Sequence, residues 1–424
     1  MQAAFFETDI TPTYFPIRTY MREVTEVIDP LYARAAAFQD AGTLFAMVAL
    51  DVVIVEAGIV ARIRARAAER FDIPASNILV CGTHNHGCPA VIERPSFKRE
   101  DAYIDFMIER AAEAVAGACR CLRDACCTVA SGFETQVAFN RRFLTRHGHV
   151  VTQPGGEALK NVLCNENVID PEVGVLRITK PNGDLLGLVV NFGCHACHQL
   201  GQLTAGYPGV LCNTLKAHLG EDIGVVFLNG PCANVLHHNY LAPERRASKE
   251  QTGGLLASRV ERILADMPPE AGGGTINAVS KQIRLPYRDF AEAERRFADP
   301  VVQAHVFGGL IKLGWYDYPS LKEMAKRNGG GEDLEIQAFR IGDAVFAAMP
   351  AEYFMEFGLR IKEQSEHVKT FVVSLANGWV GYVPTQEAHQ RKGGHETTTA
   401  LWSKMCFDAG DRMADTALEL LHTL

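Results

Sequence analysis

Residues 77–91 read N-I-L-V-C-G-T-H-N-H-G-C-P-A-V, from Asn77 to Val91. An apolar run (Ile78, Leu79, Val80, Cys81) gives way at Gly82 to Thr83, His84, Asn85 and His86. This predicts a buried strand that ends in a glycine turn and delivers two imidazoles to a sheet's carboxyl edge. On an extended backbone, residues two apart share a side, so His84 and His86 are expected to face one pocket. Neutral imidazole is the commonest protein metal ligand near neutral pH. The chain has 14 histidines, so other segments can complete a site around these two.

Working outward, the segments on both sides predict an α/β layer. Leu44 to Val55 is nearly all apolar, as expected of a strand buried on both faces, with Asp51 as a structural or supporting acid inside it. Glu56 to Phe71 has helical spacing and precedes the quoted strand, and strand–helix–strand order opens an α/β fold. Phe5 to Pro12 reads as a short edge strand and Asp101 to Leu122 as a helix. Strands are expected at Cys127 to Phe133, Leu185 to Gly193, Ile223 to Gly230 and Thr370 to Ala376, and a hairpin at Ile336 to Met349. Further helices are predicted from Tyr207 to Leu219, Gly254 to Ala265, Glu352 to Glu363 and Asp408 to His422. Loops are marked at Pro268-Pro269, Gly272 to Gly274 and Gly329 to Gly331. No linker and no internal repeat is visible. The expectation is one α/β domain over residues 1–424, a mixed sheet flanked by helices, with 240–335 as insertions.

Four polar clusters follow predicted strands: His84 with His86, His195 with His198, Asn234 with His237 and His238, and Tyr382 with His389 and His395. Ligands of open α/β sheets bind beyond the carboxyl ends of the strands, so several such clusters suggest one shared metal pocket there. Cys194 to His198 also fits C-x-x-C-H, the pattern of haem attachment, and Cys194 with Cys197 could form a thiolate site. Cys119, Cys121, Cys126 and Cys127 do not have zinc-motif spacing and read as small buried hydrophobes.

Composition narrows the class. Hydrophobic content of 47% and charged content of 22% are those of a globular protein. A net charge of −8 gives no electrostatic case for nucleic acid. The N-terminus M-Q-A-A-F-F-E-T-D-I-T-P has no signal-peptide pattern, and no stretch is long and apolar enough to insert in a membrane. With no export signal, a cytoplasmic protein whose 12 cysteines are free thiols is expected, acting on a small molecule, with a homo-oligomer left open.

The motifs, taken in order, resemble the neutral/alkaline non-lysosomal ceramidases and their bacterial relatives. The likeness runs through D-I-T-P (9–12), V-A-L-D (48–51), T-H-N-H (83–86) and Asn140-Arg141. It continues through N-F-G-C-H (191–195), A-G-Y-P-G (205–209), F-R-I-G-D (339–343), P-A-E (350–352) and N-G-W-V-G-Y-V-P-T (377–385). The resemblance implies a catalytic zinc held by His84, His195, Glu352 and Tyr382. His86 is then a proton carrier beside the metal, and Arg141 a substrate-contacting arginine. That assignment suits the chemistry: zinc with N/O ligands polarises a carbonyl and acidifies water. A histidine can carry the proton to a leaving amine, and an arginine can offset an oxyanion.

The departures bear on the substrate. The family's serine position is Leu236, which excludes a serine nucleophile under that pairing. Asn234 and Gly206 replace acids, His395 replaces a tyrosine, and Cys197 and His198 replace small polar residues. Asn234, His198 and His238 are therefore candidates for substrate binding and His395 for catalysis. The chain lacks the family's C-terminal immunoglobulin-like domain, which argues against ceramide itself. The expected activity is zinc-dependent hydrolysis of a linear amide in a small soluble N-acyl compound. The alternatives are a metal-dependent esterase, lactonase or lyase on the same scaffold, or a non-catalytic metal-binding relative.

Overall fold

The computed structural model describes residues 1–268, 274–305, 311–312 and 314–424. The loops expected at Pro268-Pro269 and Gly272 to Gly274 fall mostly outside them. Among the described residues the polypeptide forms a mixed α/β fold, but with three principal sheets where one was expected. The first has the order Ile78–Gly82, Thr43–Leu50, Tyr32–Asp40, Gln2–Asp9 and Arg123–Asp124. The second runs Gly224–Asn229, Leu185–Phe192, Glu172–Thr179, Cys126–Phe133. The third runs Ile276–Pro286, Gly331–Ile341, Ala344–Ala348, Lys369–Val373.

The three sheets repeat one connection that the sequence does not advertise. In each, an antiparallel hairpin feeds a helix that returns the chain to a parallel strand. Thr43–Leu50 passes through helix Ala57–Arg70 to Ile78–Gly82. Leu185–Phe192 passes through helix Gly206–Leu219 to Gly224–Asn229. Ala344–Ala348 passes through helix Met355–Gln364 to Lys369–Val373. A parallel pair needs such a crossover, and the crossover helix covers one face of its sheet.

The near-continuous apolar strands follow from this layering. Odd and even side chains of a strand point to opposite faces, and here both faces are buried. Phe45 and Met47 join Leu79, Val226, Leu228, Phe339, Phe346 and Phe371 in a core shared by all three sheets. Their neighbours Ala46, Val48, Ile78 and Val80 pack against the first sheet's own helices. The same alternation sends Val225 and Phe227 to the second sheet's helices, and Val345 and Val372 to the third's.

Most sequence-predicted elements occur, with differences that have local causes. The first strand is longer than expected, Gln2–Asp9, and has partners on both sides rather than at an edge. The Leu44 to Val55 run stops being strand at Leu50, because buried Asp51 turns to an ion pair with Arg34 at 2.6 Å and accepts the Tyr32 N–H. The helix expected from Gly254 begins earlier, at Lys249, where Ser248 and Gln251 form a capping box. The weakly patterned stretch before Glu335 contains an eleven-residue strand, Ile276–Pro286, paired along its length with Gly331–Ile341. Its largely solvent-facing middle, S-K-Q, hides it from a hydrophobic reading. Cys119 and Cys127 are buried as expected, whereas Cys121 is exposed and Cys126 half-buried. No helix among the described residues is long and apolar enough to cross a membrane.

Candidate metal centre

The parallel strand pairs of the three principal sheets bring their carboxyl ends to one place, stitched by hydrogen bonds between sheets. The Gly82 N–H donates to Leu375 O at 3.2 Å, Asn229 Nδ2 to Thr83 O at 3.2 Å and the Ser374 N–H to Asn229 O at 2.9 Å. The His86 N–H donates to Ala196 O at 3.0 Å. Segments distant in sequence therefore converge just beyond the strands: 83–86 after the first sheet, 194–196 and 232–235 after the second, and, after the third, the short parallel pair Glu352–Tyr353 with Tyr382–Val383, which sets Glu352 opposite Tyr382.

His84 and His86 do come together, but not by strand alternation. The strand ends at Gly82, and His84 has φ 63°, in the left-handed region. Such a conformation costs a β-carbon residue about 1 kcal/mol, so the surrounding packing must hold it. Gly82 permits the turn because a side chain there would meet Val52 O at 3.0 Å. The His84 and His86 rings then lie edge to face with centroids 4.8 Å apart, and His84 and His195 are 4.3 Å apart.

The orientation of each ring fixes its tautomer. His84 Nδ1 lies 2.9 Å from Val53 O. His195 Nδ1 lies 2.6 Å from Cys232 O and 3.2 Å from Val235 O. A carbonyl only accepts, so Nδ1 carries the proton in both rings and Nε2 keeps its lone pair. Histidine metal ligands are commonly held in this way by the other ring nitrogen. Glu352 Oε2 then stands 3.5 Å from His84 Nε2 and 3.4 Å from His195 Nε2. The Tyr382 hydroxyl lies 3.4 Å from His195 Nε2 and accepts from Arg141 at 3.2 Å.

These atoms fit a metal ion. Ligands 2.0–2.2 Å from a tetrahedral zinc lie roughly 3.3–3.6 Å apart, the spacing seen here. His84 Nε2, both ring nitrogens of His86 and Glu352 Oε2 are buried without a hydrogen-bond partner. Buried polar atoms left unpaired are costly, and a cation would satisfy those at the centre. His84, His86 and His195 form a group with ligand atoms within 4.8 Å of one another. Glu352 Oε2, however, lies nearer than that limit to both His84 and His195, and the carboxylate supplies the charge that a divalent ion requires.

Electrostatics keeps these groups in ligand form. Burial, with Arg141 and His84 nearby, lowers His195 to about 3, and burial beside two histidines also pushes His86 well down. Burial would raise Glu352, but the adjoining imidazoles of His195 and His84 outweigh it and hold the carboxyl well below its usual range. The His195 and His86 rings are thus neutral and the acid ionised at neutral pH.

The other residues expected at the site divide into two sets. Arg141, 4% exposed, reaches Tyr382 and pairs with the fully buried Glu396 at 2.8 Å. Glu396 also pairs with Arg142 at 2.8 Å and accepts from Thr152 at 2.6 Å. His395 packs edge-on against Tyr382, with 5.4 Å between ring centres, and stacks on Trp402. The second set lies apart. Asn234 Nδ2 donates to Glu356 at 2.8 Å and its Oδ1 accepts the Met355 N–H at 3.1 Å, so its side chain pins the helix start. His198 bonds Thr252 at 3.0 Å and stacks on His237, and His238 packs on Tyr240. None of these three has a hydrogen bond or ring contact to the proposed ligands among the described residues. His389 faces Arg288 and Phe407 rather than Tyr382.

The C-x-x-C-H reading finds no support in the thiols. Cys194 is buried and its thiol faces the Val137 and His195 carbonyls; burial raises Cys197 to about 11. Three supporting residues were not singled out from the sequence, although Trp379 lies within N-G-W-V-G-Y-V-P-T. Glu396 is buried between two arginines, and the Trp379 indole N–H donates to Glu352 Oε1 at 3.1 Å. The Tyr20 ring packs edge-on against His86, with 5.6 Å between ring centres.

No protein-family model matches this sequence, and no curated protein matches it. Solved structures do. Neutral ceramidase from Pseudomonas aeruginosa aligns with a TM-score of 0.74 at 17% identity, over 100% of this chain and 75% of that one. A ceramidase complexed with C2 aligns with a TM-score of 0.74 at 14% identity, over 99% of this chain and 74% of that one. At such identities the likeness establishes the fold, and function rests on the site.

Proposed function

We propose that this chain is a zinc-dependent hydrolase that cleaves the linear amide of a small N-acyl compound. One observation carries the reading: two histidines with proton-bearing Nδ1 atoms fixed by carbonyls aim bare Nε2 atoms at an ionised, buried Glu352. His84, His195 and Glu352, with the Tyr382 hydroxyl, would hold the ion. When bound, it supplies Lewis acidity to a carbonyl and to water. The fold shared with neutral ceramidases supports the amide as the bond class by analogy.

The protein's own groups divide the remaining work. His86 is half-buried with both ring nitrogens enclosed, neutral and without a hydrogen-bond partner, which suits a proton carrier between water and a leaving amine. Arg141 and the Tyr382 hydroxyl present N–H and O–H donors on one side of the cluster. They would bind the substrate carbonyl and offset the charge that develops on its oxygen. Glu396 keeps the Arg141 guanidinium in place. The C–N bond breaks, the acyl carbon gains the water oxygen, and the amine gains a proton through His86. Residues 1–424 would act as one domain, since strand Ile276–Pro286, within the segment expected as insertions, is built into the third sheet.

The test is elemental analysis of the purified protein with matched amide and ester substrates. About one zinc per chain and release of free amine, both lost in His84→Ala, are expected. No tightly bound metal after zinc loading, with His84→Ala behaving as wild type, would overturn the reading. Faster turnover of the ester alone would move the activity to esterase.

A further inference from the structure

Six arginines among the described residues are buried: Arg34, Arg64, Arg94, Arg141, Arg142 and Arg288. Four have carboxylate partners, namely Asp51, Glu335, Glu396, and Glu166 with Glu396. Arg288 has none, but neutral oxygens of Met405, Thr397, Thr399 and Ser403 accept from it. Arg94 differs from all five. It is 8% exposed, and among the described residues no carboxylate lies within ion-pair distance and its Nε has no partner; Nη1 donates to Glu93 O at 2.9 Å, and the guanidinium also meets the uncharged Tyr20 hydroxyl. A buried guanidinium left in this state is expensive and calls for an anion.

Its position says where that anion belongs. The Arg94 guanidinium lies over the Trp379 ring, 5.1 Å from its centre, and the Trp379 indole donates to Glu352. It also lies over Trp315, 5.7 Å from its centre. Tyr20 joins Trp315 to the metal cluster, edge-on to Trp315 at 5.8 Å and to His86 at 5.6 Å between ring centres. Arg94 thus stands one side chain from the cluster on the side of Glu352 and His86, whereas Arg141 approaches through Tyr382. Two indoles and Tyr20 are the side chains that link Arg94 to the cluster. Arginine binds planar carboxylates through paired N–H donors, and stacking on the indoles holds the fork in plane.

We infer that the substrate is an amide bearing a carboxylate, of the N-acyl amino acid class, and that Arg94 binds this carboxylate while the amide lies at His84, His195 and Glu352. The inference rests on the amide-hydrolase reading for the bond that is cut, but not for the binding of the acid. An N-acyl amino acid enters with water and leaves as a carboxylic acid and an amino acid. The Arg94 contact neither gains nor loses a proton.

The test uses a panel of N-acetyl amino acids with aliphatic and aromatic side chains, each paired with its own carboxamide. Binding is measured by calorimetry on metal-free protein and hydrolysis on the zinc-loaded protein, so that recognition is read separately from turnover. The best carboxylate is expected to exceed its carboxamide by about 100-fold in affinity and in kcat/KM, the worth of a charge-assisted pair. Arg94→Gln should bring that ratio to within about threefold of one with zinc content unchanged, and Arg94→Lys should keep part of it. A wild-type ratio near one, no binding by any member, or an unchanged ratio in Arg94→Gln overturns the inference. Should Arg94→Gln fail to fold, the wild-type ratio and Arg94→Lys still decide. Arg94-dependent binding without cleavage of any amide would defeat the hydrolase reading and leave this one standing. Cleavage of acid and carboxamide at equal rates would do the reverse.

Discussion

Two groups of histidines sit on neighbouring segments of this fold, and only one is suited to a metal. His84, His86 and His195 lie beside Glu352, with two rings turned by backbone carbonyls so that bare nitrogens meet an ionised acid. His198, His237 and His238 have the same side chain and come from the same loops, but no carboxylate pairs with them among the described residues. Burial and the charges of Arg246 and Lys249 instead lower His198 to about 2, after the added effect of His237; burial and Arg246 leave His237 at about 4. Cationic surroundings repel a divalent ion as they repel a proton. Clustered histidines therefore do not make a metal site; the decisive differences are a carboxylate and an imposed tautomer.

The comparison breaks most sharply at Glu352. Zinc affinities in four-ligand sites correspond to roughly 10–16 kcal/mol, so one ligand's share is about 2.5–4 kcal/mol. Glu352→Gln keeps the shape and removes the charge. It should weaken zinc about 100- to 1,000-fold in competition with a chelator, and amide hydrolysis should fall at least in proportion. Retention of wild-type zinc affinity would mean that the three histidines alone, His86 included, form the site.

A second break lies at Glu396, the acid that steadies Arg141. Removing one member of a buried ion pair costs roughly 3–5 kcal/mol, and Glu396→Gln leaves Arg141 with only Tyr382. Denaturant unfolding should show that loss at neutral pH, with kcat reduced more than KM is raised. The pH dependence follows from the same group. Burial raises its pKa, but Arg141 and Arg142 outweigh that and bring it to about 2. Its folded pKa therefore lies below the unfolded value of about 4.3, so its stabilisation is complete above that value. It is lost as pH falls from about 4.5 toward 2, and amounts to roughly 3 kcal/mol. Wild-type stability should drop through that window by this much more than that of Glu396→Gln.

Asn234 lies between the two groups, on the loop that gives Cys232 O to His195 and carries His237. Its side chain holds Glu356 and the Met355 N–H, and its carbonyl accepts the Arg141 N–H at 2.9 Å. Asn234→Ala should cost about 1–3 kcal/mol through the buried groups it leaves unpaired. Zinc affinity should fall by less than about tenfold, the lower range for a group that acts through another. A rise in KM with stability intact would restore Asn234 to the substrate side.

What the sequence disclosed follows the physics of each part. Strands buried on both faces read clearly, because Leu79 and Val80 are apolar for different reasons, one facing the shared core and one the helices. That doubling also hid the three-sheet arrangement, since an unbroken run does not say that its two faces meet different partners. The histidines and Glu352 were reachable through their order along the chain. Their roles depend on Val53, Cys232 and Val235 carbonyls, which any residue type could supply. Arg94 and Glu396 carried no pattern at all, since a charged residue in a loop normally faces solvent and only packing reveals that these do not.

The smallest effect is expected at His198, and it tests the comparison from the other side. The ring bonds Thr252 Oγ1 and stacks on His237, 3.4 Å between centres. Burial keeps it neutral at neutral pH, so its replacement there removes no charge. His198→Ala should therefore cost about 1–2 kcal/mol from a lost hydrogen bond and stack. The zinc content of the purified variant should match wild type. If zinc were lost instead, the carboxylate would not be what separates the two groups, and the second would have to be read as a remote extension of the first. If zinc stayed and KM alone rose, Cys197 and His198 would line the substrate's path.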